Sequence, residues 1–124
     1  MTTRARLLAA GDLAALLAFA LIGLASHDRG ITASGLARDW LPIAGCYAAA
    51  ALLVGAWTRP DLPRLLAAWA LGVTAGVVLR GVVLGREPGV EQLQFLGVTL
   101  AVTLVLLGVW RALELSLHRR RAAL

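Results

Sequence analysis

The sequence predicts an all-α integral membrane protein whose four transmembrane helices form a compact antiparallel bundle. Three observations lead to this fold class. Hydrophobic residues make up 60% of the 124 positions and charged residues 15%, against about 45–50% and about 25% in an average soluble domain. Four apolar runs of about 17–20 residues fill most of the chain, and each is long enough for a helix to cross a ~30 Å hydrocarbon core. The connections between the runs are short and contain most of the charges.

We expect helices at about 7–26, 41–57, 64–84 and 92–111, with a basic cytoplasmic tail at 112–124. Asp12 interrupts the first apolar run and Arg80 the third, whereas the second and fourth runs have no charge. Backbone groups in lipid must be paired within the segment, which favours helices, and strict alternation typical of a membrane barrel is missing. No linker is long enough to separate domains, so residues 1–124 should form one transmembrane domain.

Residues 1–26 also fit a secretory signal peptide that would be cleaved. Arg4 and Arg6 would form its charged start, residues 13–25 its apolar core and residues 23–25 its cleavage site. Asp12 is unusual at the opening of such a core, and the run is long enough to span a membrane. We therefore favour a retained first helix.

The distribution of arginine predicts the orientation. All 12 basic residues are Arg; eight lie at the amino terminus, in the second loop and in the tail together with Arg111 just before it, and four lie on the opposite side. The positive-inside rule then places both termini in the cytoplasm, with a dual topology as the alternative. Tryptophans are enriched at membrane interfaces, so we predict Trp40, Trp57 and Trp110, at the ends of runs two and four, to be interface anchors.

The tail ends in Arg119, Arg120 and Arg121. A basic cluster that directly follows a membrane helix binds anionic lipid headgroups, at ~1 kcal/mol per residue. The alternative for such a cluster is a nucleic-acid site. We predict that these arginines anchor the tail at the membrane interface and that nucleic acid is not a partner.

Asp12 is expensive to hold in a membrane, because a charge at mid-depth costs about +2.5 to +3.5 kcal/mol. It lies ~7–8 Å into the first helix from its cytoplasmic end. We expect Asp12 to pair with Arg64 or Arg59, which enter helix three. Its role is structural, or it moves protons or a polar solute, or it contacts a lipid headgroup.

Arg80 lies ~22 Å from the cytoplasmic end of the third helix, near the outer interface. We expect it to point into the bundle and to be held by Asp39, Glu91 or carbonyls near His27. The same three roles are open for Arg80. His27 next to Asp28 is also a candidate pH-sensitive pair, although a histidine in a loop is more often solvated.

Two helix faces are predicted to pack inside the bundle. Small residues let helix backbones approach closely, and the third helix repeats them every four residues at Ala68, Gly72 and Gly76. A homodimer built on this seam is the alternative. On the fourth helix one face is polar, and a water-filled path is its alternative reading. That face contains Gln92, Thr99, Thr103 and Trp110.

Chemistry-bearing motifs are missing from the sequence. His27, His118 and Cys46 do not have metal-ligand spacing, and no nucleophile-elbow, zinc-protease, P-loop or dinucleotide-binding pattern is present. We therefore expect no catalytic site, no metal and no cofactor.

A set of short motifs is spread over most of the chain. These motifs are Asp12 in helix one, Gly23-x-x-Ser26-His27, Trp40-x-Pro42, Gly55-x-Trp57, Leu79-Arg80 and Gly85-Arg86. The chain is similar, over roughly residues 10–111, to the small bacterial membrane proteins catalogued as domain of unknown function 3054. This resemblance implies a four-helix protein of the bacterial inner membrane, and it makes Asp12, His27, Arg80 and Arg86 the polar positions of interest.

Two functions from different classes follow. The first is a non-catalytic structural or accessory bundle in the lipid bilayer. The alternative is a homo-oligomeric transporter or channel for protons or a small solute that uses Asp12 and Arg80. Because four helices leave little room for a pore, this alternative needs a dimer built on the Gly72 and Gly76 seam.

Overall fold

The computed structural model describes residues 2–26, 30–85 and 89–123, and over these ranges the chain is all-helical. Three of its four helices are long and apolar enough to cross a membrane: α1, α3 and α4. His27 and Arg86, both predicted site positions, lie outside the described residues. The four helices are α1 at Thr3–Ser26, α2 at Ala33–Val54, α3 at Leu62–Val83 and α4 at Val90–Ala123.

The helices form an antiparallel ring in which each one packs against its neighbours in sequence and α4 closes onto α1. The packed face of α1 repeats every three or four residues and includes Leu8, Asp12 and Leu16. A helix places residues at this spacing on one side, so Asp12 faces the interior together with the apolar core.

The second helix differs from its predicted bounds of 41–57. Thr32 caps its amino end by accepting a hydrogen bond from the backbone N–H of Gly35 at 3.0 Å. The helix therefore begins at Ala33, includes Arg38 and Asp39, and ends at Val54. Because these two charges lie inside the helix, α2 has a shorter apolar stretch and is not among the three candidate spans.

The third helix contains a π-helical turn at Trp69–Val73 and begins at an Asp61 cap. Its small-residue seam packs inside the bundle, as predicted. A Cβ atom on Gly72 would lie 2.5 Å from the Cα of Tyr47, and one on Gly76 would lie 2.5 Å from the Cα of Ile43. Within one chain the seam is thus filled by α2.

The fourth helix does not end at 111, because the segment predicted as a tail continues it to Ala123. Its 34 residues give a length of ~51 Å, well beyond a ~30 Å hydrocarbon core. The predicted polar face is confirmed as a bundle-facing stripe. Thr99 and Thr103 are buried and donate to the carbonyls of Phe95 and Thr99, each at 2.6 Å.

The outer surface of the bundle is strongly apolar. Large aliphatic side chains are exposed on every helix, among them Ile22, Leu53, Val82 and Val105. Soluble monomers rarely expose contiguous apolar surface of this extent, so the fold presents a surface suited to lipid or to a partner.

Candidate functional site

The polar centre of the bundle is Asp12, whose side chain is completely buried. The Arg111 guanidinium holds it in a bidentate pair, with Nε donating to Oδ1 at 3.0 Å and Nη2 to Oδ2 at 2.7 Å. The Tyr47 hydroxyl and the Trp57 indole N–H also donate to Oδ2, at 2.7 and 2.9 Å. We call these four residues the Asp12 cluster.

Both oxygens of the Asp12 carboxylate are engaged by these donors. The cluster supplies four donors, three to Oδ2 and one to Oδ1, and a carboxylate can accept about that many hydrogen bonds. Arg111 also directs Nη1 and Nη2 to the carbonyl oxygen of Ala56, both at 3.4 Å. A buried charge is tolerated when it is paired and hydrogen-bonded, and both charges of this pair meet that condition.

The turn after α2 brings two members of the cluster inward. Gly55 ends α2 in the left-handed region at φ 77°, a conformation that glycine adopts without a steric penalty. The chain then folds back, so that the Ala56 carbonyl faces Arg111 and the Trp57 side chain is buried against Asp12. The Trp57 N–H is therefore used inside the protein and is not directed at lipid headgroups.

The prediction that Asp12 pairs with Arg64 or Arg59 is wrong. Arg64 donates from Nε to the Val54 carbonyl at 3.1 Å and thus caps the carboxyl end of α2, and it pairs with Asp61. Arg59 is exposed. Sequence reasoning had counted Arg111 as a charge of the tail and so missed it as the partner.

A sequence signal for Arg111 does exist. Thr99 and Thr103 start a spacing of four residues that continues through Leu107 to Arg111. Thr99, Thr103 and Leu107 are each completely buried. Since side chains four apart share a helix face, the stripe itself points Arg111 into the bundle.

A second ion pair lies at the same end of the bundle. Arg4 at the start of α1 donates from Nε and Nη2 to Glu114 of α4, at 3.0 and 3.2 Å. Glu114 is 4% exposed, so its charge is compensated by this partner. At the exposed surface nearby, the backbone N–H of Arg64 holds the pKa of Asp61 below its usual value.

The opposite end of the bundle contains the Arg80 pair. Arg80 is 9% exposed and donates from Nε to Asp39 Oδ1 at 2.9 Å. Its guanidinium carbon lies 4.4 Å from the centre of the Phe95 ring, within cation–π range. The prediction that Arg80 points into the bundle and binds Asp39 is confirmed, whereas Glu91 is exposed and is not its partner.

The other predicted anchors also differ from expectation. Trp40 donates its N–H to the Leu13 carbonyl at 3.1 Å. The Trp110 ring packs against the backbone of Gly11, so closely that a Cβ atom on Gly11 would lie only 1.9 Å from Cε2 of Trp110. The indole nitrogen of Trp110 is buried without a partner among the described residues. The rings therefore face the bundle, while Arg119, Arg120 and Arg121 are exposed on the helical extension of α4.

The described residues contain no group of three or more His, Cys, Asp or Glu side chains that could hold a metal ion. Cys46 is half-buried within α2 and carries a free thiol. His118, the one histidine inside the described ranges, lies exposed on α4.

The match to a family model covers residues 9–114, which includes the whole Asp12 cluster. The chain belongs to this family, described as Protein of unknown function (DUF3054). The resemblance predicted from the short motifs is thereby confirmed. Searches of curated proteins and of solved structures found no match to the chain.

Proposed function

We propose that the protein is a four-span integral protein of the bacterial inner membrane, with both termini in the cytoplasm, and that it acts as a non-catalytic structural or accessory bundle. The observation on which the role depends is the closed Asp12 cluster. Its acid has no exposed surface, and four donors from α2, the turn after it and α4 engage both of its oxygens, so it is arranged to hold helices together.

The membrane placement is supported by the apolar outer surface and by the three candidate spans. Helices α1 and α3 both pack antiparallel to α2. If α1 and α3 each cross the bilayer in the same direction, α2 must return across it between them. The acidic residue of α2 fits this path, because Asp39 is paired with Arg80 near one end and a paired charge costs less free energy to place in the membrane.

Two ion pairs tie the first helix of the chain to the last. Arg111 links α4 to α1 across 99 positions of sequence, and Arg4 with Glu114 repeats this link 110 positions apart. Lipid supplies no hydrophobic force between helices, so polar contacts and close packing must hold the ring closed.

The transporter alternative has one observation in its favour. A pocket of about 200 Å³ between the ends of α1, α3 and α4 is lined by Arg4 and Arg111, so the partner of Asp12 borders open space at this end. A proton path would require Asp12 to exchange its Arg111 contact for a proton.

Proton flux in liposomes separates the two functions. The purified protein is reconstituted, a pH gradient is imposed, and the internal pH is followed with a trapped dye. We expect no flux above that of empty liposomes, for the wild type and for Asp12→Asn alike. Flux through the wild type that Asp12→Asn abolishes would overturn the structural role and support the transporter.

A further inference from the structure

An open groove lies between the first turns of α1 and the last third of α4, at the end of the bundle that holds both termini. Its volume is about 400 Å³, within the range of ~300–1,000 Å³ typical of small-molecule sites. Its walls combine apolar side chains with basic ones. The apolar members include Leu7, Trp110 and Leu117, and the basic or titratable members are Arg4, His118 and Arg121. We call it the terminal groove.

The charge of the terminal groove is positive at its rim. Glu114 also borders the groove, but its two oxygens are engaged by Nε and Nη2 of Arg4. That pairing leaves Arg121 uncompensated among the described residues. The Nη1 group of Arg4 likewise makes no hydrogen bond within the described part of the chain. An anion seated here would meet donors from both α1 and α4.

Only one of the three consecutive tail arginines borders the groove. Neighbouring residues of a helix project ~100° apart, so Arg119 and Arg120 leave α4 in other directions, and neither lines the groove. This placement distinguishes a defined site from the diffuse attraction of a basic helix end for an anionic surface.

The geometry points to a binding site for one anionic phospholipid in the terminal groove. Its phosphate lies against Arg121 and the free Nη1 of Arg4, and the upper part of an acyl chain lies along Leu7 and Leu117. This inference rests on the proposed membrane placement, because a lipid reaches the groove only if this end of the bundle lies at a leaflet surface.

Other occupants fit the groove less well. A second copy of the chain would bring its own excess of positive charge, since the net charge is +5, and like charges brought together repel. A free phosphate would leave the apolar wall exposed. A zwitterionic lipid would cover that wall, but the positive charge of its headgroup would oppose Arg121.

Lipid titration followed by native mass spectrometry tests the site on the full chain purified in detergent. The probes are dioleoyl phosphatidylglycerol, dioleoyl phosphatidylcholine and glycerol 3-phosphate. We expect one phosphatidylglycerol per protein, bound at least about fivefold more tightly than phosphatidylcholine, a factor that corresponds to ~1 kcal/mol per basic residue. Glycerol 3-phosphate should not bind, because it lacks the chains. Equal binding of the two lipids overturns the proposal.

Matched variants locate the site. Arg121→Gln should weaken phosphatidylglycerol binding about fivefold, whereas Arg6→Gln, which removes an exposed charge outside the groove, should not. Leu117→Trp should block the groove and abolish selective binding, and Leu113→Trp, on the exposed surface of the same helix, should leave it intact. All four positions are exposed or half-exposed at the surface, so the fold should survive each change. Equal effects within either pair overturn the site.

The result of the lipid-binding experiment is independent of the proton-flux experiment that tests the proposed function. Binding in detergent does not report on topology or flux, so a protein that transports protons could still bind phosphatidylglycerol selectively. Conversely, loss of selectivity would leave the liposome result unchanged. A failure of the lipid-binding experiment therefore overturns the lipid site alone, and a failure of the flux experiment overturns the structural role alone.

Discussion

The Asp12–Arg111 pair can be tested by a double-mutant cycle, in which Asp12→Leu and Arg111→Met are made singly and together. Each single change strands a buried charge, because the partner side chains are only 0% and 11% exposed. Breaking a buried ion pair in this way costs about 3–5 kcal/mol in the free energy of unfolding. If the two effects were independent, the double variant would lose about 6–10 kcal/mol.

The double variant should lose much less than that sum. It contains no stranded charge, because apolar residues replace both members of the pair, and such a replacement is often neutral in itself. What remains is the cost of leaving the Tyr47 hydroxyl and the Trp57 N–H without an acceptor, about 1–3 kcal/mol each. The double variant should therefore lose about 2–6 kcal/mol, which gives a coupling free energy of about 4 kcal/mol between positions 12 and 111.

Equilibrium unfolding in mixed detergent micelles, followed by far-ultraviolet circular dichroism, provides the measurement. The control cycle combines Asp12→Leu with Arg6→Met, which lies on the exposed surface of α1, and should be additive. Additivity within about 0.5 kcal/mol for the Asp12–Arg111 cycle would refute the reasoning, since it would mean that the two side chains do not interact.

Three further changes probe other contacts by the same unfolding measurement. Trp57→Phe should lower the free energy of unfolding by about 1.5–3 kcal/mol more than Trp110→Phe does, because only Trp57 donates a hydrogen bond to a charged acceptor. Equal losses would contradict the hydrogen bond from Trp57 to Asp12. Gly76→Ala should lower the free energy of unfolding by about 1–3 kcal/mol, because the added methyl group forces α2 and α3 apart. Its control Gly97→Ala lies in open space and should be neutral or slightly stabilising. If Gly76→Ala were equally well tolerated, α2 and α3 could not be packed as closely as described. Arg80→Leu should lower the free energy of unfolding by about 1–3 kcal/mol, because it leaves the Asp39 carboxylate without its donor in a partly dry site. Arg80→Lys should recover only part of this loss, because an ammonium lacks the planar fork of a guanidinium. Full recovery by Lys would show that the guanidinium shape is not needed.

The helices and the Arg80 pair could be predicted because they depend on local signals. Long apolar runs fix where helices form, and counting residues along neighbouring helices placed Arg80 and Asp39 at one depth. The spacing of Gly72 and Gly76 predicted a close approach, and their backbone contacts with α2 confirm it. These inferences needed only helix geometry and the cost of charge in an apolar environment.

The Asp12 cluster could not be predicted in the same way because it depends on how the ends of the helices fold. The αL turn at Gly55 redirects Trp57 into the interior, and a count of helical residues treats Trp57 as the end of a span. The continuation of α4 past Arg111 keeps that side chain on a buried face. Apolar composition indicates where a membrane span could end, but the helix itself can continue beyond that point. For this reason the sequence places Arg111 with the charges of the tail.

Cysteine labelling in intact bacteria tests the central claim, the four-span topology, most directly. In a Cys46→Ala background, single cysteines replace Arg59, Arg121 and Ile31, all of which are exposed, and a membrane-impermeant maleimide is applied before and after permeabilisation. The account predicts that Ile31→Cys reacts in intact cells, and that Arg59→Cys and Arg121→Cys react only after permeabilisation. Labelling of positions 31 and 59 from the same side would contradict it, because α2 could not then cross the membrane.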